Sequence, residues 1–266
     1  MNPIRPPAVA GSFYPGDPAT LTALLDRLLA EAGTPSGRPP KVLIVQHAGY
    51  IYSGLTAAKA YARLAPLRTQ IRRVVLLGPT HRVAVNGIAL PECAAFATPL
   101  GDIPLDLAAI AELRQLAQIV TSDRVHAQEH SLEVHLPFLQ RVLDAFTLVP
   151  LAVGEASPPA VAEVLDVLWG GPETLIVISS DLSHFLPYAT AQQVDSRTCQ
   201  QILHLATDIA PEQACGAFPL NGLLLTAGRR GLQPELLALC NSGDTAGDKQ
   251  RVVGYASFAL PESAHV

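Results

Sequence analysis

Short apolar segments alternate along the chain with longer segments in which leucine and alanine recur at helical spacing. The apolar segments are rich in β-branched residues and too short for helices, which is typical of strands buried on both faces of a sheet. Helices are predicted between and after them, at 104–117, 129–143, 158–168 and 190–205. This alternation predicts an α/β fold with a central, largely parallel (mixed) sheet and helices on both faces. The predicted strands are KVLIVQ (41–46), RRVVLLG (72–78), FTLVPLAV (146–153) and ETLIVISS (173–180).

Capping and turn residues predict three further elements. Asp17 followed by proline is a typical helix start, and the helix that follows is expected to end at Gly33. A second helix is expected to begin at Ser53. The segment RVVGYASFAL at 251–260 predicts one more strand, at an edge of the sheet or antiparallel to its neighbours. Because no linker is long enough to require a second domain, residues 1–266 are expected to form a single domain.

The charge balance and the cysteines exclude several classes of protein. Acidic residues outnumber basic ones by 23 to 18 without any basic run, whereas a nucleic-acid-binding protein usually concentrates positive charge. The four cysteines form no CxxC pair, so they are expected to be buried thiols in a reducing compartment. The N-terminus lacks the apolar segment of a secretory signal, and no stretch is apolar enough to cross a membrane. We therefore expect a cytoplasmic protein that binds neither nucleic acid nor membranes.

Histidines follow three of the predicted strands at the point where each strand ends. His47 and His81 come after the first two strands, and Asp181 and His184 come after the strand at 173–180. In open α/β sheets, ligands bind beyond the carboxyl ends of the strands, so these side chains are expected to meet at one edge. A single histidine at a strand end is often only a hydrogen-bonded structural residue. Three such positions in a chain with eight histidines favour a site.

This pattern of histidines indicates a metal site. Neutral imidazoles suit Fe, Zn, Cu and Ni, and two histidines with one carboxylate form the facial site of non-haem Fe(II) oxygenases. His47 and His81 are the predicted histidine ligands. The carboxylate would come from Asp181 or from Asp244, which lies in the loop before the last predicted strand.

The segment EHSLEVHLP at 129–137 contains the densest group of titratable residues. It is not a zinc-binding HExxH helix, because His130 and His135 are five residues apart and would point to different faces. In a helix, Glu129 and Glu133 would share one face. Two interpretations stay open: a structural role near a helix start, or a pocket wall that orients metal ligands.

Six segments follow one another from near the N-terminus to near the C-terminus: RPPAVAGSFYP (5–15), HAGYIYSG (47–54), GPTH (78–81), EHSLEVHLPF (129–138), SSDLSHF (179–185) and SGDTAGDKQRVVGYASFAL (242–260). Together they resemble the MEMO family, whose prokaryotic members are called AmmeMemoRadiSam system protein B. The resemblance implies the fold of the catalytic subunit of class III extradiol dioxygenases, Fe(II) enzymes that open catechol-like rings with O2. It also implies other components of the same system as partners.

The resemblance also implies roles for individual residues. The family's metal-binding histidines correspond to His47 and His81, and the aspartate and histidine of its SSD-x-x-H motif correspond to Asp181 and His184. Eukaryotic members use a cysteine as a further metal ligand.

The position of that cysteine leaves the third ligand open. Counting back from the shared Tyr255 places it at about Thr245 and not at Cys240. Asp244 is the nearest substitute and is the ligand we predict, with Asp181, Thr245 and Cys240 as alternatives.

The residues and the resemblance together favour a metal-dependent oxidoreductase of dioxygenase type with a small-molecule substrate. Fe(II) is the expected cofactor, with Cu or Zn as alternatives, and His47, His81 and Asp244 are the expected ligands. Asp181 and His184 are the expected catalytic residues, with His184 moving a proton to or from the substrate. Two other functions stay open: a non-catalytic module that uses the same pocket to bind a peptide or a partner from the same system, and a hydrolase in which the metal activates water.

Overall fold

The computed structural model describes residues 3–34 and 36–262. The strands are β1 (Ile4–Arg5), β2 (Pro40–Val45), β3 (Arg73–Pro79), β4 (Ile88–Leu90), β5 (Ala95–Thr98), β6 (Gly101–Pro104), β7 (Ile119–Thr121), β8 (Thr147–Val153), β9 (Thr174–Ser179), β10 (His184–Leu186), β11 (Glu235–Asn241) and β12 (Val252–Pro261). The helices are α1 (Pro18–Glu31), α2 (Tyr50–Tyr61), α3 (Leu107–Leu113), α4 (Asp123–Ala127), α5 (Leu136–Val142), α6 (Pro158–Leu168), α7 (Tyr188–Leu203) and α8 (Ala217–Arg229). Short 3-10 helices lie at Ala62–Leu67, Glu133–His135 and Ser242–Asp244.

The strands form one large and one small sheet. The large sheet has nine strands in the order β10-β12-β2-β9-β3-β8-β4-β7, with β11 also paired to β12. Its central strands β2, β9, β3 and β8 are parallel, whereas β12 pairs antiparallel with β2 and β4 pairs antiparallel with β8. The small sheet has the order β1-β5-β6. The predicted α/β fold with a mixed, largely parallel central sheet is confirmed.

The four central strands are buried on both faces. Every residue of β2 and β9 is buried, and only the first residue of β3 and of β8 is partly exposed. Because successive side chains of a strand point to opposite faces, both sides of this part of the sheet must be covered. The four strands predicted from apolar segments are therefore confirmed, each within one residue at either end.

Local capping residues set the first helix as predicted. The Asp17 carboxylate accepts a hydrogen bond of 2.8 Å from the Thr20 N–H, and α1 begins at Pro18. Beyond the end of α1, Gly33 has a φ of +77°, a left-handed conformation that glycine adopts without strain. α6 has the predicted bounds, and α3 and α7 overlap their predicted ranges. None of the helices in the described part of the chain combines the length and apolar character needed to span a membrane.

The second helix begins earlier than predicted. α2 starts at Tyr50 and not at Ser53, because Gly49 occupies the cap position. The Tyr50 N–H donates to the Phe13 carbonyl at 2.8 Å, so the N-terminal segment satisfies a donor that the helix itself leaves free.

The helix predicted at 129–143 is wrong over its first residues. The α-helix α5 begins only at Leu136. The two backbone N–H groups that follow Glu129 donate to its own side chain, at 2.9 and 3.0 Å, and this competes with a helical turn. The helix face that Glu129 and Glu133 were expected to share does not form.

The last strand is internal. β12 is antiparallel to β2, which was one of the two predicted alternatives, but it lies between β2 and the strands β10 and β11 and not at an edge. Its ten residues are nearly all buried.

The sequence pattern does not predict α8, which contains Pro219 and Gly222. Pro219 lies in the first turn, where its missing N–H costs no helical hydrogen bond. Gly222 lies against α6, where an added Cβ would come within 2.3 Å of the Val161 Cβ. Two residue types that often interrupt helices are therefore accommodated here by position and by close helix packing.

Candidate metal centre

The carboxyl ends of three adjacent strands bring His47, His81 and Asp181 to one edge of the sheet. β9 lies between β2 and β3 and is parallel to both. His47 follows β2, His81 follows β3 and Asp181 follows β9. The imidazole rings of His47 and His81 have centroids 5.1 Å apart. The structure thus brings together the two histidines that the sequence selects as ligands.

A third histidine, His130, completes the group. Its ring centroid lies 4.7 Å from that of His81 and 5.4 Å from that of His47. One ring nitrogen from each of these histidines lies within 4.8 Å of the other two. His130 comes from the turn after α4 and not from a strand end, so its position relative to strands could not identify it. The signal that could have done so is the density of titratable residues at 129–137.

Three imidazoles at this spacing fit a divalent transition-metal ion. Burial, and then the neighbouring imidazoles, hold the pKa of His47 well below its usual value. Burial lowers the pKa of His130 to about 4, although the nearby Glu129 carboxylate opposes this. Within the described part of the chain, His130 Nδ1 is buried without a hydrogen-bond partner, although it lies 3.2 Å from a Glu129 carboxylate oxygen. Nitrogen donors of this kind suit Fe, Zn, Cu and Ni, so the donor set matches such an ion.

Glu129 fixes the orientation of His81. Its carboxylate oxygens lie 2.9 Å from His81 Nδ1 and 2.5 Å from the His81 backbone nitrogen. Burial alone would raise the pKa of Glu129, but hydrogen bonds from His81 and Ser131 outweigh burial and lower it to about 2. An ionised carboxylate only accepts, so the His81 proton lies on Nδ1 and Nε2 stays available to a metal. This geometry favours the interpretation in which the segment 129–137 orients metal ligands.

Asp181 and His184 lie near the histidine group. The Asp181 carboxylate accepts a hydrogen bond of 2.8 Å from the His47 N–H. Burial raises the pKa of Asp181 to about 7, although the N–H groups of His47 and Ala48 oppose this. His184 is half-buried at the start of β10, and burial lowers its pKa. Near neutral pH, Asp181 therefore exists in both protonation states, and His184 is neutral.

Asp244, the predicted third ligand, lies outside the histidine group. One of its carboxylate oxygens accepts from the Tyr188 hydroxyl at 2.5 Å and the other from the Asn241 N–H at 2.9 Å. The contact with Asn241 belongs to a capping box at the end of β11. The alternatives Thr245 and Cys240 also make their hydrogen bonds to residues outside the group. The third side chain that the structure places beside His47 and His81 is His130.

Cys215 is a neighbour of the group that the sequence analysis does not select. Its Sγ lies 3.4 Å from His47 Nε2, and it directly precedes Gly216, the cap residue of α8. Burial raises the pKa of this thiol. Cys215 is not part of a CxxC motif, and it precedes a helix that the sequence pattern does not predict. The sequence therefore does not indicate that Cys215 lies near the histidine group.

Comparison with known proteins identifies the family of this chain. The family described as Memo-like protein matches residues 5–259. A MEMO1 family protein from Sulfolobus acidocaldarius is 33% identical over 96% of this chain and 98% of its own length. One from Ignicoccus hospitalis is 34% identical over 97% of this chain and 99% of its own length. The chain belongs to the Memo family. The resemblance drawn from the sequence is confirmed.

A solved structure shares the fold of this Memo-family chain. The crystal structure of an uncharacterized protein from Escherichia coli K12 aligns with a TM-score of 0.52 and 13% identity. The alignment covers 82% of this chain and 98% of that one. At this identity the likeness concerns the fold alone.

Several of the segments that carry the Memo resemblance surround the histidine group. His47, His81 and His130 each lie in one of them, and Asp181 and His184 lie in another. The N-terminal segment also reaches the site, since its Phe13 ring packs against His130 with centroids 4.8 Å apart. The family pattern in this chain is therefore concentrated around one place in the fold.

Proposed function

We propose that this Memo-family chain is a metal-dependent enzyme whose metal ion is bound by His47, His81 and His130. The observation that carries this proposal is the convergence of three imidazoles from three separate segments, with ring nitrogens within 4.8 Å of one another. Burial keeps His47 and His130 neutral, as metal ligands must be. Fe(II) is the proposed metal, with Cu or Zn as alternatives, and oxidation of a small molecule of dioxygenase type is the proposed reaction.

The two groups beside the histidines are suited to proton transfer. When bound, Fe(II) would supply the redox chemistry by which O2 oxidises an organic substrate. The Asp181 carboxyl, with a pKa raised to about 7 by burial, can accept or release a proton near neutral pH. His184 is neutral at this pH because burial lowers its pKa, and its ring can accept a proton from a bound substrate.

Metal analysis tests the binding site. Protein purified without oxygen is loaded with Fe(II), desalted and assayed for iron in the wild type and in His47→Ala, His81→Ala and His130→Ala. We expect stoichiometric iron in the wild type and background iron in each variant. His204→Ala is the matched control, since His204 is exposed at the end of α7 and bonds only the Gln200 carbonyl among the described residues. A wild type that binds no metal would refute the proposal.

Oxygen uptake tests the reaction. The iron-loaded protein is supplied with O2 and a panel of ring diols, and uptake is followed with an oxygen electrode. Asp181→Asn and His184→Gln are expected to lower turnover while iron content stays unchanged, because neither residue is a proposed ligand. Iron-loaded protein that consumes no O2 with any diol would argue against a dioxygenase.

Metal-assisted hydrolysis is a second candidate, favoured by the identity of the ligands. Three histidines with an open fourth position are a known ligand set for catalytic zinc, which lowers the pKa of a bound water. The facial site of Fe(II) oxygenases instead contains a carboxylate, and the histidine group contains none. Turnover of ester or phosphoester substrates with Zn(II), without any need for O2, would distinguish this candidate from the first.

A non-catalytic binding module is a third candidate, favoured by a cavity next to the N-terminal segment. This cavity of about 770 Å³ is lined by apolar and aromatic side chains that include Phe13, Tyr52 and Leu55. Its size falls within the usual range for ligand sites. A peptide, or a partner from the AmmeMemoRadiSam system, would occupy it without turnover. Stoichiometric binding of such a partner that persists after chelation of metal would support this function over the other two.

A further inference from the structure

Ser179 links two of the segments that carry the histidines. Its Oγ lies 2.6 Å from His47 Nδ1 and 2.6 Å from the carbonyl oxygen of Ser131. Ser179 is fully buried at the end of β9, where it pairs with Val45 of β2. One hydroxyl group therefore touches both the ring of His47 and the backbone next to His130.

The direction of both hydrogen bonds follows from the chemistry of the groups. A carbonyl oxygen only accepts, so the Ser179 O–H donates to Ser131. A hydroxyl has a single proton, so toward His47 the same oxygen must accept, and the proton of the neutral ring lies on Nδ1. His47 Nε2 then carries the lone pair, which faces Cys215 Sγ at 3.4 Å. This is the tautomer that a metal ligand at Nε2 requires.

The backbone around Ser179 is arranged for close contact with the Ser131 loop. The Ser131 hydroxyl donates to the Pro79 carbonyl at 2.7 Å. An added Cβ at Gly78 would lie 2.8 Å from Ser131 Oγ and 3.1 Å from Ser179 Cβ, so a larger residue there would push the loop away. The loop that carries His130 is thus bound to the ends of both β3 and β9.

We propose that Ser179 is a positioning residue that fixes the tautomer of His47 and ties the loop carrying His130 to the sheet. It would do for His47 what Glu129 does for His81, with a neutral hydroxyl in place of a carboxylate. The metal measurement below rests on the proposed function, whereas the tautomer measurement does not.

The tautomer is measured in metal-free protein with ¹⁵N-labelled imidazoles, by long-range ¹H–¹⁵N NMR correlation, with His47→Gln used for assignment. We expect His47 to carry its proton on Nδ1 in the wild type and to populate both tautomers in Ser179→Ala. A wild-type His47 protonated on Nε2 would overturn the proposal, and this result needs no variant to fold.

Metal affinity is measured by competition between the protein and a chelator for Co(II). We expect Ser179→Ala to bind about 10–100-fold more weakly, the usual loss when a partner of a metal ligand is removed. Ser180→Ala is the matched control, because Ser180 is the next residue, is also buried, and among the described residues bonds Asp181 and Gly216 but no histidine.

Unchanged affinity in Ser179→Ala, or an equal loss in Ser180→Ala, would refute the positioning role. A wild type that binds no Co(II) would refute the metal proposal instead, and the NMR result would still decide the role of Ser179.

Discussion

Glu129 and Glu133 lie four residues apart on one segment, and both are buried, yet they bind different kinds of partner. Glu129 accepts hydrogen bonds from His81 and from backbone N–H groups next to itself. Glu133 forms an ion pair of 2.7 Å with Arg5, which is also buried. It also accepts from the Tyr14 hydroxyl at 2.6 Å and from two N–H groups of the N-terminal segment.

These partners indicate that Glu129 supports the histidine group, whereas Glu133 stabilises the fold. Glu129 contacts a proposed metal ligand and neutral donors, so its loss leaves no buried cation behind. Glu133 neutralises a buried guanidinium and attaches the N-terminal segment to the rest of the molecule. Both residues are buried glutamates on the same segment, so only their hydrogen-bond and ion-pair partners distinguish the role of one carboxylate from that of the other.

The largest expected effect is that of Glu133→Gln on stability. Without the carboxylate, the buried Arg5 loses its counter-charge, and breaking a buried pair in this way costs about 3–5 kcal/mol of the free energy of unfolding. Urea denaturation measures this loss. The metal content of the folded variant should equal that of the wild type, and a loss of metal without a loss of stability would reverse the assignment of the two glutamates.

His126, whose backbone carbonyl accepts from Arg5, makes the free energy of unfolding depend on pH. Burial, with the charge of Arg5 adding to it, lowers the pKa of His126 from 6.5 to about 4, although a hydrogen bond to the Ala89 carbonyl opposes this. Between these values the unfolded chain binds a proton that the folded chain does not, so stability falls as pH falls from 6.5 to 4.

The contribution of His126 amounts to about 3 kcal/mol at the acidic end of this range. In His126→Gln this part of the acid sensitivity should be absent. Urea denaturation of the wild type and of His126→Gln at a series of pH values tests this expectation. If the free energy of unfolding depends on pH in the same way in both proteins, the lowered pKa of His126 is contradicted.

Glu129→Gln should act mainly on metal affinity. We expect the dissociation constant for Co(II) to rise by about 10–100-fold, because an amide has no charge and only one oxygen to accept from the two N–H groups of His81. The free energy of unfolding should fall by about 1–3 kcal/mol, less than in Glu133→Gln, since no buried cation is left unpaired. Chelator competition and urea denaturation are measured on the same preparation. A fall in stability as large as that of Glu133→Gln would remove the distinction between them.

The smallest expected effect is that of Asp244→Asn. Its carboxylate accepts from the Asn241 N–H in a capping box and from the Tyr188 hydroxyl, so the change should cost about 1 kcal/mol or less and leave metal content unchanged. Metal analysis decides between this expectation and the ligand role that the sequence suggests. Loss of metal in Asp244→Asn would return this aspartate to the site.

The central sheet could be predicted from the sequence because its signal is local. Short apolar segments bounded by turns can be recognised without any knowledge of the fold, and parallel strands place their carboxyl ends at one edge. This reasoning was sufficient to predict that His47 and His81 lie close together. It could not find α8, since Gly222 in that helix is explained only by its contact with Val161.

His130 and Asp244 show where sequence reasoning ends. Periodicity predicted a helix through residue 130, but the Glu129 side chain accepts the backbone donors that would begin one. Asp244 was selected because it lies near the position that the resemblance indicates, but its oxygens are satisfied by local partners. In both cases the outcome depends on competition among hydrogen-bond acceptors, which residue spacing does not reveal.

The insertion of β9 between β2 and β3 has a consequence for the order of assembly. His47 and Ser179 are separated by 132 positions in the chain, so their contact requires a long loop to close. Until β9 has paired with β2 and β3, the strand ends that carry His47 and His81 do not lie at one edge of a sheet. An ion would therefore bind to a chain whose central sheet has already formed.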